Sequence, residues 1–200
     1  MRLPSAQRLG ARLAHCERGF TLIELIVSMT ILGLVVGSLT GIFASALSDE
    51  ADMNKRFQAQ ENGRLALDTL RREMHCANAV TQAGGSALTT TATAGITLTL
   101  GSYCTTSGGA ATSVSWCARG SARPWSLYRI AGGGSCPASG GVKWADWLTT
   151  GTPFSLSTVD PSGPNLTLVR VSFPVNVGTT GTVGTYQLWD DIALRNSTRS

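Results

Sequence analysis

Residues Leu25–Leu47, LIVSMTILGLVVGSLTGIFASAL, contain no charged side chain. A helix needs about 20 apolar residues to cross the hydrocarbon core of a bilayer, and this run is long enough. Its polar content is hydroxyl side chains and glycine, which a membrane helix tolerates. A segment of this kind cannot be an ordinary surface helix, so the chain divides around it.

The flanks set its direction. Arg2, Arg8, Arg12 and Arg18 precede the run, against the single acid Glu17. From Phe20 onward there are twelve Lys/Arg and eleven Asp/Glu. The formal charge of +4 therefore belongs mostly to the N-terminal stretch. The positive-inside tendency places that stretch in the cytoplasm and the C-terminal bulk outside. For the same reason the basic charge is no sign of a nucleic-acid partner. Ala44-Ser45-Ala46 resembles a secretory cleavage site, but the apolar run is longer than a usual signal core and the helical pattern continues past it.

Four regions are expected: a basic cytoplasmic leader over 1–19, a membrane-spanning half-helix over 20–47, a soluble amphipathic half-helix over 48–79 and a β-rich head over 80–200. Ser48 to Asn78 is rich in helix formers and lacks proline. Met53, Phe57, Leu67, Leu70 and Met74 fall mostly at three- and four-residue steps and predict a ragged apolar stripe. Gly63 is a weak point in it. Beyond Ala79, Gly, Ser and Thr dominate. Strands are predicted at Ile96–Leu100, Val114–Ala118, Trp125–Ile130, Leu166–Phe173 and Tyr186–Arg195. The fold class is α+β, a long N-terminal helix whose soluble half packs on an antiparallel sheet. The five Trp, all after residue 115, supply much of the core.

Cys76, Cys104, Cys117 and Cys136 form an even set in an exported head, which suggests two disulfides. Three pairings are open. The favoured one joins Cys104 to Cys117 and Cys76 to Cys136. No metal site is expected, because the spacings are wide and no C-x-x-C occurs.

The eight residues Arg18-Gly19-Phe20-Thr21-Leu22-Ile23-Glu24-Leu25 carry the most specific signal. They join a basic flank, a glycine, a phenylalanine and an acid five residues into the chain that begins at Phe20. Here the sequence resembles the type IV prepilin family. The resemblance covers about the first thirty residues closely and implies a pilin-like fold. It implies cleavage between Gly19 and Phe20 by a membrane prepilin peptidase, N-methylation of Phe20, and packing of the helix into a filament with other pilins or pseudopilins. It also implies lifting of the subunit from the lipid by an inner-membrane platform. Glu24 is the expected assembly residue. An acid within a bilayer is costly and usually functional, and the new Phe20 amine is its natural partner, in the same chain or in a neighbour. The alternative is a carboxylate that snorkels to the interface.

Gly33, Gly37 and Gly41 make two overlapping G-x-x-x-G units, which allow close helix packing in lipid; glycine is also simply common in membrane helices. LRREMHCAN, WCARG, LYR and LWDDIALRNS are similar to phrases in J-type pseudopilins of type II secretion and PilW-like minor pilins.

No catalytic constellation appears, and no cofactor is expected. His75 adjoins Cys76, but adjacent helix residues point apart. Gly132–Gly134 lacks the lysine of a phosphate loop. Asp160, Asp190 and Asp191 read as solvated or paired carboxylates rather than calcium ligands. The competing reading is a membrane-anchored module that captures a ligand through exposed Trp side chains.

Overall fold

The structure, a computed structural model, describes residues 19–101, 104, 112–157, 166–178 and 184–195. Its elements are one helix, α1 (Leu22–Cys76), and eight strands. These are β1 (Ala77–Gln82), β2 (Gly95–Leu100), β3 (Ser113–Arg119), β4 (Trp125–Ala131), β5 (Val142–Leu148), β6 (Phe154–Leu156), β7 (Leu168–Val175) and β8 (Tyr186–Ala193). The chain forms two compact units, residues 1–48 and 49–200.

In the first unit every described residue is exposed. Leu22, Ile23, Leu34 and Phe43 each expose about two thirds of their surface or more. That much bare apolar surface is what a lipid or helix environment would cover. The helix is long and apolar enough to cross a membrane. Ser28, Thr30, Ser38, Thr40 and Ser45 turn their hydroxyls back onto carbonyls of the preceding turn, so these polar groups are satisfied within the helix.

In the second unit the buried face of α1 is Ala59, Gly63, Ala66, Leu67, Leu70, Glu73 and Met74. This face departs from the stripe expected from sequence. Met53 and Phe57 are 70% and 66% exposed, and the seam starts at Ala59. Small residues lead because the sheet approaches closely there. A Cβ at Gly63 would meet Leu188 Cδ1 at 2.9 Å and Val175 Cγ2 at 3.5 Å. Gly63, a weak point by helix propensity, is thus a contact point. Gly63→Ala is expected to change stability by less than about 1 kcal/mol, because the propensity gain offsets a small shift of the flexible Leu188 end. Gly63→Leu has no such room and should lower the urea midpoint clearly.

The sheet is antiparallel, in the order β1-β2-β3-β4-β5-β7-β6, with β8 also paired to β7. The helix runs into β1 with no intervening residue, and Ala77 already faces Leu100 of β2. Helix was expected to persist to about residue 79. The β2 ladder claims Ala79 and Val80 instead. The inward residues of β2, β3 and β7 alternate: Ile96 and Leu98, Val114 and Trp116, Val169, Val171 and Phe173. Together with Leu67, Leu70 and Met74 they form one core. Phe154 and Phe173 meet edge-on at 6.0 Å, and Trp116 lies 5.9 Å from Trp144.

Inside this core sits an ion pair. Glu73, 6% exposed, accepts from Trp116 Nε1 and Arg129 Nε, each at 2.7 Å. Arg129 is 8% exposed. Further along, Arg71 reaches Asp190 at 2.6 Å, Arg64 bonds Tyr186, and His75 Nδ1 donates to the Ala193 carbonyl at 3.1 Å. The helix is therefore pinned to β3 and β4 by one buried carboxylate and to β8 by a row of polar contacts.

On the outer face of β7 and β8, Arg170 grips Asp191 with two bonds of 2.9 and 2.8 Å. Arg170 first, and Ser157 in addition, hold the Asp191 carboxyl below its ordinary value, against the opposing effect of burial. A depressed carboxyl contributes stability above its unfolded pKa, near 3.9, and loses it as pH falls through the folded value. Asp191→Asn should therefore cost less than about 1 kcal/mol at pH 7, since the pair is partly solvated. It should also flatten the fall in stability as the pH drops below about 4, as read by urea melts.

Candidate functional site

Gly19, Phe20 and Thr21 precede α1, and Glu24 lies in its first turn. Gly19 is extended from the helix start with nothing within 4 Å of where a side chain would be. Phe20 is 83% exposed. Both residues flanking the peptide bond between them are exposed.

Thr21 and Glu24 form a reciprocal cap. The Glu24 N–H donates to Thr21 Oγ1 at 3.3 Å, and Glu24 Oε2 accepts from the Thr21 N–H at 3.4 Å and its hydroxyl at 3.3 Å. This is a capping box, which satisfies N–H groups that a helix start leaves unpaired. The signal was present in the sequence as Thr-x-x-Glu before an apolar run. The cap draws the Glu24 carboxylate back to the residue next to Phe20. The carboxylate thus stands one residue from Phe20.

Gly33, Gly37 and Gly41 lie on the exposed helix, and a Cβ at any of them would meet nothing within 4 Å. Among the described residues no side chain approaches these positions.

The cysteines are arranged differently from the favoured pairing. Cys117 is bonded to Cys136, with Cα atoms 5.7 Å apart. The physical reason is the pleat. Val114, Trp116 and Ala118 of β3 face the helix, so Cys117 and Ser115 face outward. The β4–β5 connection folds over that outer face. Gly134 N donates to Ser115 Oγ at 3.1 Å, and Gly84 N donates to the Gly134 carbonyl. That brings Cys136 onto Cys117 directly above Gly95, its ladder partner. Cys104 packs against the core cluster instead, near Cys76. Neither Cys104–Cys117 nor Cys76–Cys136 forms.

The remaining candidates are accounted for by their partners. His75 Nδ1 is turned to the Ala193 carbonyl, and Cys76 lies near Cys104. Asp190 and Asp191 point to opposite faces of β8, toward Arg71 and Arg170. Asp160 lies outside the described residues. Among the described residues no group of three or more His, Cys, Asp or Glu is close enough to hold a metal.

Residues 15–40 match the family model described as the prokaryotic N-terminal methylation motif. The match supports a type IV prepilin-like protein. It spans Arg18, Gly19, Phe20, Glu24 and the larger part of the apolar run, and it stops before the head. It points to a structural pilin rather than an enzyme, and it implies processing by prepilin peptidase and assembly with other pilins. The apolar helix is consistent with a membrane-anchored pilin. No curated protein and no solved structure matches this prepilin-like chain.

Proposed function

We propose that the chain is a minor pilin or pseudopilin of a type IV pilus or type II secretion system, cut between Gly19 and Phe20 and methylated on Phe20. It then spans the inner membrane once, with its head on the far side, until an assembly platform draws it into a filament. The observation that carries this reading is Glu24, an acid in the first turn of a wholly exposed apolar half-helix, capped on Thr21 beside Phe20. An acid carried into the bilayer is costly and needs a partner. A Phe20 amine, on the same chain or on the neighbour below, would offset it and set the axial register of a head-to-tail array. Gly33, Gly37 and Gly41 would give the neighbouring helices room to approach. The J-type subclass is part of the proposal and rests on the short phrases in the head.

The structure supplies a sharp test, because glutamine also completes a capping box. Glu24→Gln keeps the cap and removes the charge. The variant is expected to be cut and methylated normally, as shown by intact and N-terminal peptide mass, yet to enter sheared filaments at least tenfold less than the parent. Normal incorporation would reduce Glu24 to a helix cap. A native N-terminus at Met1, or near residue 47, would remove the prepilin reading itself.

A second reading, a ligand-capturing head, is favoured by Trp189. It is 65% exposed, whereas the other four Trp are buried or half-buried. It lines an open groove of about 320 Å³ with Arg170, Ser172 and Gln187. An indole face ringed by hydroxyl, amide and guanidinium groups suits a sugar ring. Trp189→Ala should abolish binding to glycans on an array without altering filament entry, and an unchanged binding pattern would dismiss this reading.

A further inference from the structure

Cys76 is the last residue of α1, and Cys104 follows the end of β2. The ladder sets them side by side. Ala77 faces Leu100, and Cys104 N donates to the Gly101 carbonyl at 2.9 Å, folding the chain back toward the helix end. Cys104 packs against the core, both side chains are half-buried, and Cys76 is near enough to act on the Cys104 thiol. Two half-buried thiols brought to one corner of the fold by the ladder can be joined with a small local adjustment.

We propose that Cys76 and Cys104 are oxidised to a second intrachain disulfide, which closes the loop from the end of α1 through β1 and β2 and locks helix to sheet. The inference rests on the reading that the head is delivered to an oxidising compartment. The co-reactant is a disulfide, either an exported thiol–disulfide oxidoreductase or a small-molecule disulfide. One protein thiolate attacks it, releases one oxidant thiol and forms a mixed disulfide; the second protein thiolate attacks that bond and releases the other. Two protein thiols lose two electrons and two protons, and the oxidant's disulfide becomes two thiols.

The experiment is peptide mapping of full-length protein from its native membrane, acid-quenched, alkylated and digested without reductant. Expected are a Cys76 peptide joined to a Cys104 peptide and a Cys117 peptide joined to a Cys136 peptide. If Cys117–Cys136 is intact while Cys76 and Cys104 are both alkylated, the proposal falls and the export reading stands. Either cysteine joined to a different partner also sinks it. If all four are alkylated, the export reading fails, and oxidised glutathione added to the purified full-length protein decides the pairing. A Cys76–Cys104 crosslink upholds the proposal, and stable glutathione adducts on both thiols overturn it.

Discussion

Glu73→Ala is expected to destabilise the head by about 3–5 kcal/mol, because it leaves Arg129 charged and unpaired inside the core. The alanine also removes the acceptor of the buried Trp116 indole N–H. A domain of this kind is stable by about 5–15 kcal/mol, so a large share of the total would be lost. Urea titration followed by Trp fluorescence reads this directly, and Trp116 lies at the reporting site. Glu73→Gln should be milder, since the amide oxygen still accepts one bond. The paired change Glu73→Leu with Arg129→Met should recover much of the loss, because a well-packed apolar pair replaces two desolvated charges. A Glu73→Ala midpoint within about 0.5 kcal/mol of the parent would mean that the pair is solvated in the folded protein.

Gly95→Val is the second large effect. A Cβ at residue 95 would run into the Cys136 sulfur and would lie 3.0 Å from the Trp116 carbonyl oxygen. Neither neighbour can move freely, since one is fixed in the disulfide and the other in the β2–β3 ladder. Overpacking of this sort typically costs about 1–3 kcal/mol, and the value here should fall at the upper end. The expected result is a lower melting temperature together with slower formation of Cys117–Cys136 on refolding from the reduced state. A variant that melted and oxidised like the parent would mean that the β4–β5 connection does not lie over β2. The control is Gly85→Ala. Gly85 also lies in a connection, with open space around it and φ +92°, so it carries backbone strain but no clash with the disulfide.

Several strands were legible because alternation is local. Ile96–Leu100, Val114–Ala118 and the cores of β4, β7 and β8 each present apolar residues at a two-residue period, and all five appear. β5 was not predicted. Lys143 and Asp146 dilute its pattern, and Trp147 takes a left-handed φ of 64°, which breaks the alternation that a periodic reading needs. β1 was hidden by composition, since Ala77–Gln82 continues a helix-forming run and only the β2 ladder converts it to strand. Glu73 was missed because an acid in a helix reads as solvent-facing. The one local hint was its phase, three residues after Leu70 and one before Met74, on the buried stripe.

The sequence by itself determined the processing motif, the uncharged helix, the direction of the charges and the α+β order of elements. All of these depend on residues near one another in the chain. Only the tertiary structure decided which cysteine meets which, where the helix seam begins and why Glu73 is buried. Each of those depends on which side of the pleat a residue faces and on which distant segment covers it. Cys117 and Trp116 are neighbours in sequence, yet one is stapled to a loop on the outer face and the other hydrogen bonds to the helix on the inner one.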